Sequence, residues 1–191
     1  MHFGLPPSPW VQRFAPLISQ GGNVLDLACG DGRHARMLAA LGYQVEAVDQ
    51  NAETLAGLAG VAGITTRVAD LEADPWPYAT GQFDGIVVVN YLFRPRLNDL
   101  IGALKPGGVL VYETFMSGNE LFGKPSNPDF LLRPNELLEL VQPSMTVVAF
   151  EQGRVETPAP ACVQRICAIA NNAVTQLPPA QVLPAASRWS N

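Results

Sequence analysis

The chain has 191 residues, 48% of them hydrophobic and 15% charged, with a formal net charge of -5. That length fills one hydrophobic core and leaves little room for a second domain, and the acidic balance argues against a non-specific grip on phosphate backbones. Three cysteines with no CxxC pair, and histidines only at His2 and His34, argue against a disulfide framework and a structural metal.

The first residues, MHFGLPPSPWVQRF, lack the basic region and apolar stretch of a secretory leader, and no apolar run reaches the length of a membrane span. A cytoplasmic protein without membrane association is the expectation. Ser8 followed by Pro9 is a capping hydroxyl with proline at the first helical position, and Trp10, Phe14, Leu17 and Ile18 follow at helical spacing. A short helix within 1–22 should therefore precede the first strand and cover the site.

Alternating elements come next: strand 23–28, helix 31–41, strand 44–49, helix 51–60, strands 65–69 and 83–89, helix 96–104 and strand 108–114. Asp31 is placed to cap the second helix and Gly42 to end it, with Ala35, Leu38 and Leu41 as its buried stripe. The runs IVVV at 86–89 and VLVY at 109–112 have the unbroken apolar character of strands covered on both faces. The pattern predicts an α/β, Rossmann-like doubly wound fold: a mostly parallel sheet of about seven strands, the last antiparallel, with helices on both faces.

After residue 114 the rhythm changes. Residues 115–133, FMSGNELFGKPSNPDFLLR, have no convincing period and make a loop longer than compact domains usually keep without a function, hence a candidate lid. A helix then runs from Pro134 to about Val141, and 145–151 with 163–170 read as closing strands, an antiparallel pair. A single domain over 1–170 is expected, with a Pro- and Ala-rich tail at 171–191.

The segment VLDLACGDGRHA at 24–35 carries the chemistry. Gly30, Gly32 and Ala35 satisfy the G-x-G-x-x-G/A spacing of dinucleotide folds, and Asp49, at the end of the second strand, has two oxygens for two ribose hydroxyls. Asp26, however, sets a carboxylate inside the strand, where it would repel a pyrophosphate and suit an amino group. Arg33 in the first helical turn opposes the helix dipole, which an anionic partner such as a carboxylate would explain. The alternative for Arg33 and His34 is a pair of solvated first-turn residues. Cys29 reads as a small buried filler rather than a nucleophile.

These motifs, with AVDQN at 47–51, VADLE at 68–72, FDGIVVVN at 83–90 and LKPGGVLVYE at 104–113, make the chain resemble class I S-adenosylmethionine-dependent methyltransferases. Its layout is similar to the small enzymes related to tellurite-resistance methyltransferases. The resemblance implies S-adenosyl-L-methionine as cofactor. It would set Asp26 and the turn from Ala28 through Cys29, Gly30 and Gly32 around the methionine end, with Arg33 beside it and Asp49 on the ribose. Gln50 would border the adenosine, Asp70 and the Leu71 N–H would meet the adenine, and the Asn90 carbonyl would face the amino group. Tyr91 would open the reaction side. Ala28 departs from the pattern, since many members carry a glycine there.

Methyl transfer is an in-line displacement that needs orientation and exclusion of water more than a catalytic pair, so catalytic residues stay unassigned. Tyr91, Phe93, Arg94, Glu113, Phe115, Arg133 and the region of Trp10 are the expected acceptor pocket. Arg94, Arg96, Lys124 and Arg133 suggest a small anionic acceptor, against the bland reading of scattered surface charges. A small molecule is the expected partner, a protein acceptor the second choice, and nucleic acid is disfavoured. Two other functional classes stay open: an NAD-dependent oxidoreductase of Rossmann type and a non-catalytic cofactor-binding regulator.

Overall fold

The computed structural model describes residues 5–171 and 175–179; His2 and residues 172–174 and 180–191 of the expected tail lie outside the described residues. Seven strands among them form one sheet: β1 (Asn23–Leu27), β2 (Gln44–Asp49), β3 (Ile64–Val68), β4 (Phe83–Val89), β5 (Leu104–Phe115), β6 (Thr146–Val155) and β7 (Ala161–Ile169). Their order is β3-β2-β1-β4-β5-β7-β6, with β1 to β5 mutually parallel where they pair. Strand β7 is antiparallel to both β5 and β6. The short connection 156–160 permits only a hairpin there, because a parallel return needs a crossover of a dozen residues or so.

The helices are α1 (Pro9–Phe14), α2 (Arg33–Ala40), α3 (Ala52–Ala56), α4 (Leu97–Gly102) and α5 (Glu136–Val141). Strand side chains alternate between two cores. Val24, Val87, Val111 and Cys167 pack with Phe14, Ala35, Leu38 and Leu55, on the side of α1, α2 and α3. Leu25, Ile86, Val88, Leu110 and Ile166 pack with Leu97, Leu100, Leu137 and Val141, on the side of α4 and α5. Burying such side chains contributes about 1.5–3 kcal/mol each, which is why the unbroken apolar runs lie at the sheet centre. By the same period of two, Asp26 shares its face with Val24 and lies under the start of α2.

Several boundaries differ from expectation for identifiable reasons. Helix α2 starts at Arg33 because its N-cap is Gly32, held left-handed at φ +75°. Asp31 stands one residue earlier and still accepts from the Arg33 N–H (3.3 Å). At the other end Gly42 and Tyr43 donate to Ala39 and Leu38, a Schellman closure that turns Leu41 outward, 52% exposed, instead of into the core. The stripe is completed by His34, which is buried rather than solvated. Helix α3 stops at Ala56, well short of residue 60, and strand β5 begins at Leu104 through an irregular register that absorbs Lys105–Gly108.

Between β1 and β4 the strand order reverses, since β1 is followed outward by β2 on one side and met by β4 on the other. Open α/β sheets bind ligands in the crevice beyond the carboxyl ends of the strands at this reversal. The glycine turn after β1, Asp49 after β2, Asp70 after β3 and Asn90 after β4 all lie at those ends.

Candidate functional site

Asp26 is 1% exposed, the Ala35 backbone N–H is near enough to favour its charged form, and Oδ2 has no partner. Burial pushes its pKa up from 3.8 to about 8, with Asp31 and Asp49 adding to the rise against the Ala35 N–H and Arg33. A buried carboxylate oxygen without a donor costs free energy unless a cationic or hydrogen-bonding ligand meets it.

The turn that follows is shaped by left-handed residues at alternate positions: Ala28 (φ +54°), Gly30 (φ +55°) and Gly32 (φ +75°). A Cβ on Gly32 would stand 2.5 Å from Leu58, whereas a Cβ on Gly30 would meet nothing within 4 Å. Gly32 is thus required for packing, and Gly30 leaves open space where a ligand can approach the backbone. Ala28 holds a conformation that costs an L-residue roughly 1–2 kcal/mol, partly offset by the greater unfolded-state entropy of glycine. Ala28→Gly should therefore stabilise the protein by about 0.5–1 kcal/mol, read as a higher urea midpoint at unchanged slope.

Asp49 Oδ2 accepts from the Gly30 N–H and Oδ1 from the Asn51 N–H, both at 2.9 Å. A carboxylate has about four lone-pair sites, so each oxygen keeps one for a ligand hydroxyl. Asp70 Oδ1 accepts from Glu72 and Ala73 N–H groups (3.0 and 3.1 Å), which tightens the turn after β3 and leaves Oδ2 out of both bonds. Leu71 is buried beside it, its carbonyl accepting from Arg96 Nε. Gln50 is exposed. Cys29 is buried, and burial pushes its thiol well above the usual range, which suits a filler and not a nucleophile.

Arg33 Nη1 donates to the Pro6 carbonyl (3.2 Å), and the Ser8 N–H donates to His34 Nε2 (3.0 Å). The approach to α1 is thereby fastened to the first turn of α2. Burial lowers the His34 pKa to about 4, so the ring is neutral at pH 7 and its Nε2 is free to accept. Neither contact has a local signal, because the partners lie more than twenty residues apart.

Asn90 (φ +58°) is exposed and its N–H donates to the Glu113 carbonyl (2.9 Å). Tyr91 is half-buried, with a buried hydroxyl that has no partner and a carbonyl that accepts from Tyr112 Oη (2.8 Å). Beside them is a cavity of about 210 Å³ whose apolar walls are Tyr91, Leu92, Phe115, Pro125 and Phe130 and whose polar groups are Glu72, Asn90 and Thr114. Thr114, Glu72 and Phe130 were not singled out in the sequence. Glu72 stands in the VADLE motif, but only the fold brings it to Phe130.

The remaining expected acceptor residues do not line this cavity. Arg94 makes four hydrogen bonds, to both carboxylate oxygens of Glu136 and to the carbonyls of Asp129 and Leu131, and so ties the loop to α5. Arg133 is mostly exposed beside Glu136 and Glu139. Glu113 lies 2.5 Å from Arg165 Nε across the β5–β7 pair, and neither atom has a well-aligned hydrogen bond. Trp10 is 4% exposed, its indole N–H donating to the Ile166 carbonyl, and Phe93 lines a separate, water-sized void.

Residues 24–108 match a family model described as a methyltransferase domain. The chain is 29% identical over 125 residues to a putative methyltransferase, YqeM, of Bacillus subtilis, covering 59% of this chain and 50% of that protein. It is 34% identical over 116 residues to a tRNA U34 carboxymethyltransferase of Methylococcus capsulatus, covering 56% and 35%. The chain thus spans half or less of these curated relatives. Among solved structures, TehB from Haemophilus influenzae superposes with a TM-score of 0.70 at 24% identity, covering 83% of this chain and 60% of that one. A Burkholderia thailandensis 1,6-didemethyltoxoflavin-N1-methyltransferase with bound S-adenosylhomocysteine superposes with a TM-score of 0.64 at 20% identity, covering 85% and 76%. At these identities the likeness is one of fold.

Proposed function

We propose that this chain, which carries a methyltransferase domain at residues 24–108 on the class I fold, moves a methyl group from S-adenosylmethionine to a small acceptor. The observation that carries the reading is the orphaned Oδ2 of Asp26, buried in β1 four residues before Gly30, whose Cβ side is open. A cationic amino group answers that oxygen, whereas a pyrophosphate would add negative charge beside Asp26, Asp31 and Asp49. When bound, the cofactor supplies a methyl carbon activated by a positive sulfur.

The residues divide the remaining work. Asp26 and the turn from Ala28 to Gly32 hold the amino-acid end, with Arg33 near its carboxylate. Asp49 takes the ribose hydroxyls, Gln50 borders them, and Asp70 with Leu71 meets the adenine. Asn90 and Tyr91 form the boundary between cofactor and acceptor, and the cavity walled by Tyr91, Phe115 and Phe130 supports an acceptor of metabolite size. Transfer then depends on alignment and dryness, which those apolar walls favour, more than on a general base. An RNA acceptor is disfavoured by the net charge of -5. No helix of the described residues is long and apolar enough to cross a membrane.

Calorimetry with S-adenosylhomocysteine and with NAD tests this reading. Binding of the first and not the second is expected, and the reverse would overturn it. Asp49→Ala should weaken S-adenosylhomocysteine binding roughly 10- to 100-fold, because it removes charged hydrogen bonds worth about 1.5–3 kcal/mol each and also frees the Gly30 N–H. An unchanged dissociation constant in that variant would contradict the ribose assignment.

A further inference from the structure

We infer that the acceptor is a small, uncharged nitrogen heteroaromatic, bound between Phe130 of the 115–133 loop and the Tyr91 end of β4. The inference deepens the methyl-transfer reading and rests on it. Four observations lead there: the size of the cavity, the shape of its walls, the balance of hydrogen-bonding groups, and the engagement of the neighbouring cations.

The volume, about 210 Å³, equals roughly seven waters at about 30 Å³ each and fits one or two rings. Tyr91, Phe115 and Phe130 are three aromatic walls, which favour a flat ring through stacked or edge-on contact. The polar groups at the walls both accept and donate: the Glu72 carboxylate accepts, and the Asn90 amide and the Thr114 hydroxyl do both, the last on a residue only 1% exposed. A ring that offers an N–H and a bare nitrogen answers both kinds of group.

Three of the four cations that suggested an anion are engaged. Arg94 is held by Glu136 and two carbonyls, Arg133 stands beside Glu136 and Glu139, and Arg96 is held by Asp99 and the Leu71 and Asp74 carbonyls. Lys124, on the loop beside Pro125, is exposed. An anion in the cavity would lose its hydration and face Glu72 with no fixed countercharge. In the reaction the lone pair of the bare ring nitrogen forms the N–C bond while the C–S bond breaks and its electron pair returns to sulfur. The resulting cationic ring then loses the proton of its other, N–H nitrogen to water.

The test is calorimetry on the full chain saturated with S-adenosylhomocysteine, titrated at about pH 8 with benzimidazole, benzoate and phenyl phosphate. Benzimidazole should bind at least tenfold more tightly than either anion. Phe130→Ala should weaken it fivefold or more without changing S-adenosylhomocysteine affinity, and Lys124→Ala should leave it unchanged. Tighter binding of an anion, a threefold or greater loss in Lys124→Ala, or binding of none of the three would overturn the inference. Retained S-adenosylhomocysteine affinity in those cases leaves the methyl-transfer reading standing; if S-adenosylhomocysteine itself fails to bind, both fall.

Discussion

Asp26→Asn is expected to stabilise the ligand-free protein at about pH 9 while weakening S-adenosylhomocysteine binding by on the order of 100-fold. The two effects have one origin, a carboxylate placed where water cannot reach it. Burial raises its pKa from 3.8 unfolded to about 8 folded, outweighing the Ala35 N–H and Arg33. A raised folded pKa means that the stability associated with the protonated acid is complete below the unfolded value of 3.8 and is lost as pH climbs through 8. Within that window the loss can approach roughly 1.4 kcal/mol per pH unit. Asparagine keeps an oxygen for the Ala35 N–H and carries no charge to desolvate, so the variant should lose this contribution to the pH dependence.

Ligand binding reverses the preference. If Asp26 meets the amino group as proposed, a bound ammonium favours the ionised carboxylate, so binding below the folded pKa should release a proton and affinity should rise with pH up to about 8. Urea titrations at about pH 5 and pH 9, with calorimetry in two buffers of different ionisation enthalpy, measure both sides. A parent protein equally stable at the two pH values, or no proton release in the parent, would contradict a neutral buried Asp26.

Much of the fold was legible because it depends on local pattern. Strand β2 lies at Gln44–Asp49 and β4 at Phe83–Val89, the predicted ranges, and β7 is antiparallel as expected. Runs such as IVVV admit one reading once helices alternate with them. What failed to show locally depends on distant contacts. Leu41 fits the helical period, but the Schellman closure at Gly42 rotates it outward, and the place it would have filled is completed by His34, fixed by Ser8 26 residues away. The site divides in the same way. Asp26, Gly30 and Asp49 stand out by type and spacing. Arg94, a free cation by sequence, is answered by Glu136, 42 residues later.

Arg94→Ala is therefore expected to act through the loop and not through lost attraction for an anion. Breaking a buried ion pair costs about 3–5 kcal/mol and a surface pair at most about 1. The Glu136 side chain is 9% exposed and that of Arg94 35%, so a loss of about 2–3 kcal/mol lies between those limits. In the parent protein, burial pushes the Glu136 pKa up, but the Arg94 hydrogen bonds and the Arg133 N–H outweigh it and the net shift is downward. That contribution is present above the unfolded value of 4.5 and disappears as pH falls through the folded one. Without Arg94 burial gains weight, so the deficit of the variant should be largest near neutral pH and shrink in acid. The double variant Arg94→Ala/Glu136→Gln should recover part of the loss, because no desolvated charge is then left behind. Residues 127–131 should become sensitive to protease in Arg94→Ala as the carbonyls of Asp129 and Leu131 lose their donors, while S-adenosylhomocysteine affinity stays within about twofold. A variant that loses that affinity and keeps the loop protected would instead put Arg94 in contact with the cofactor.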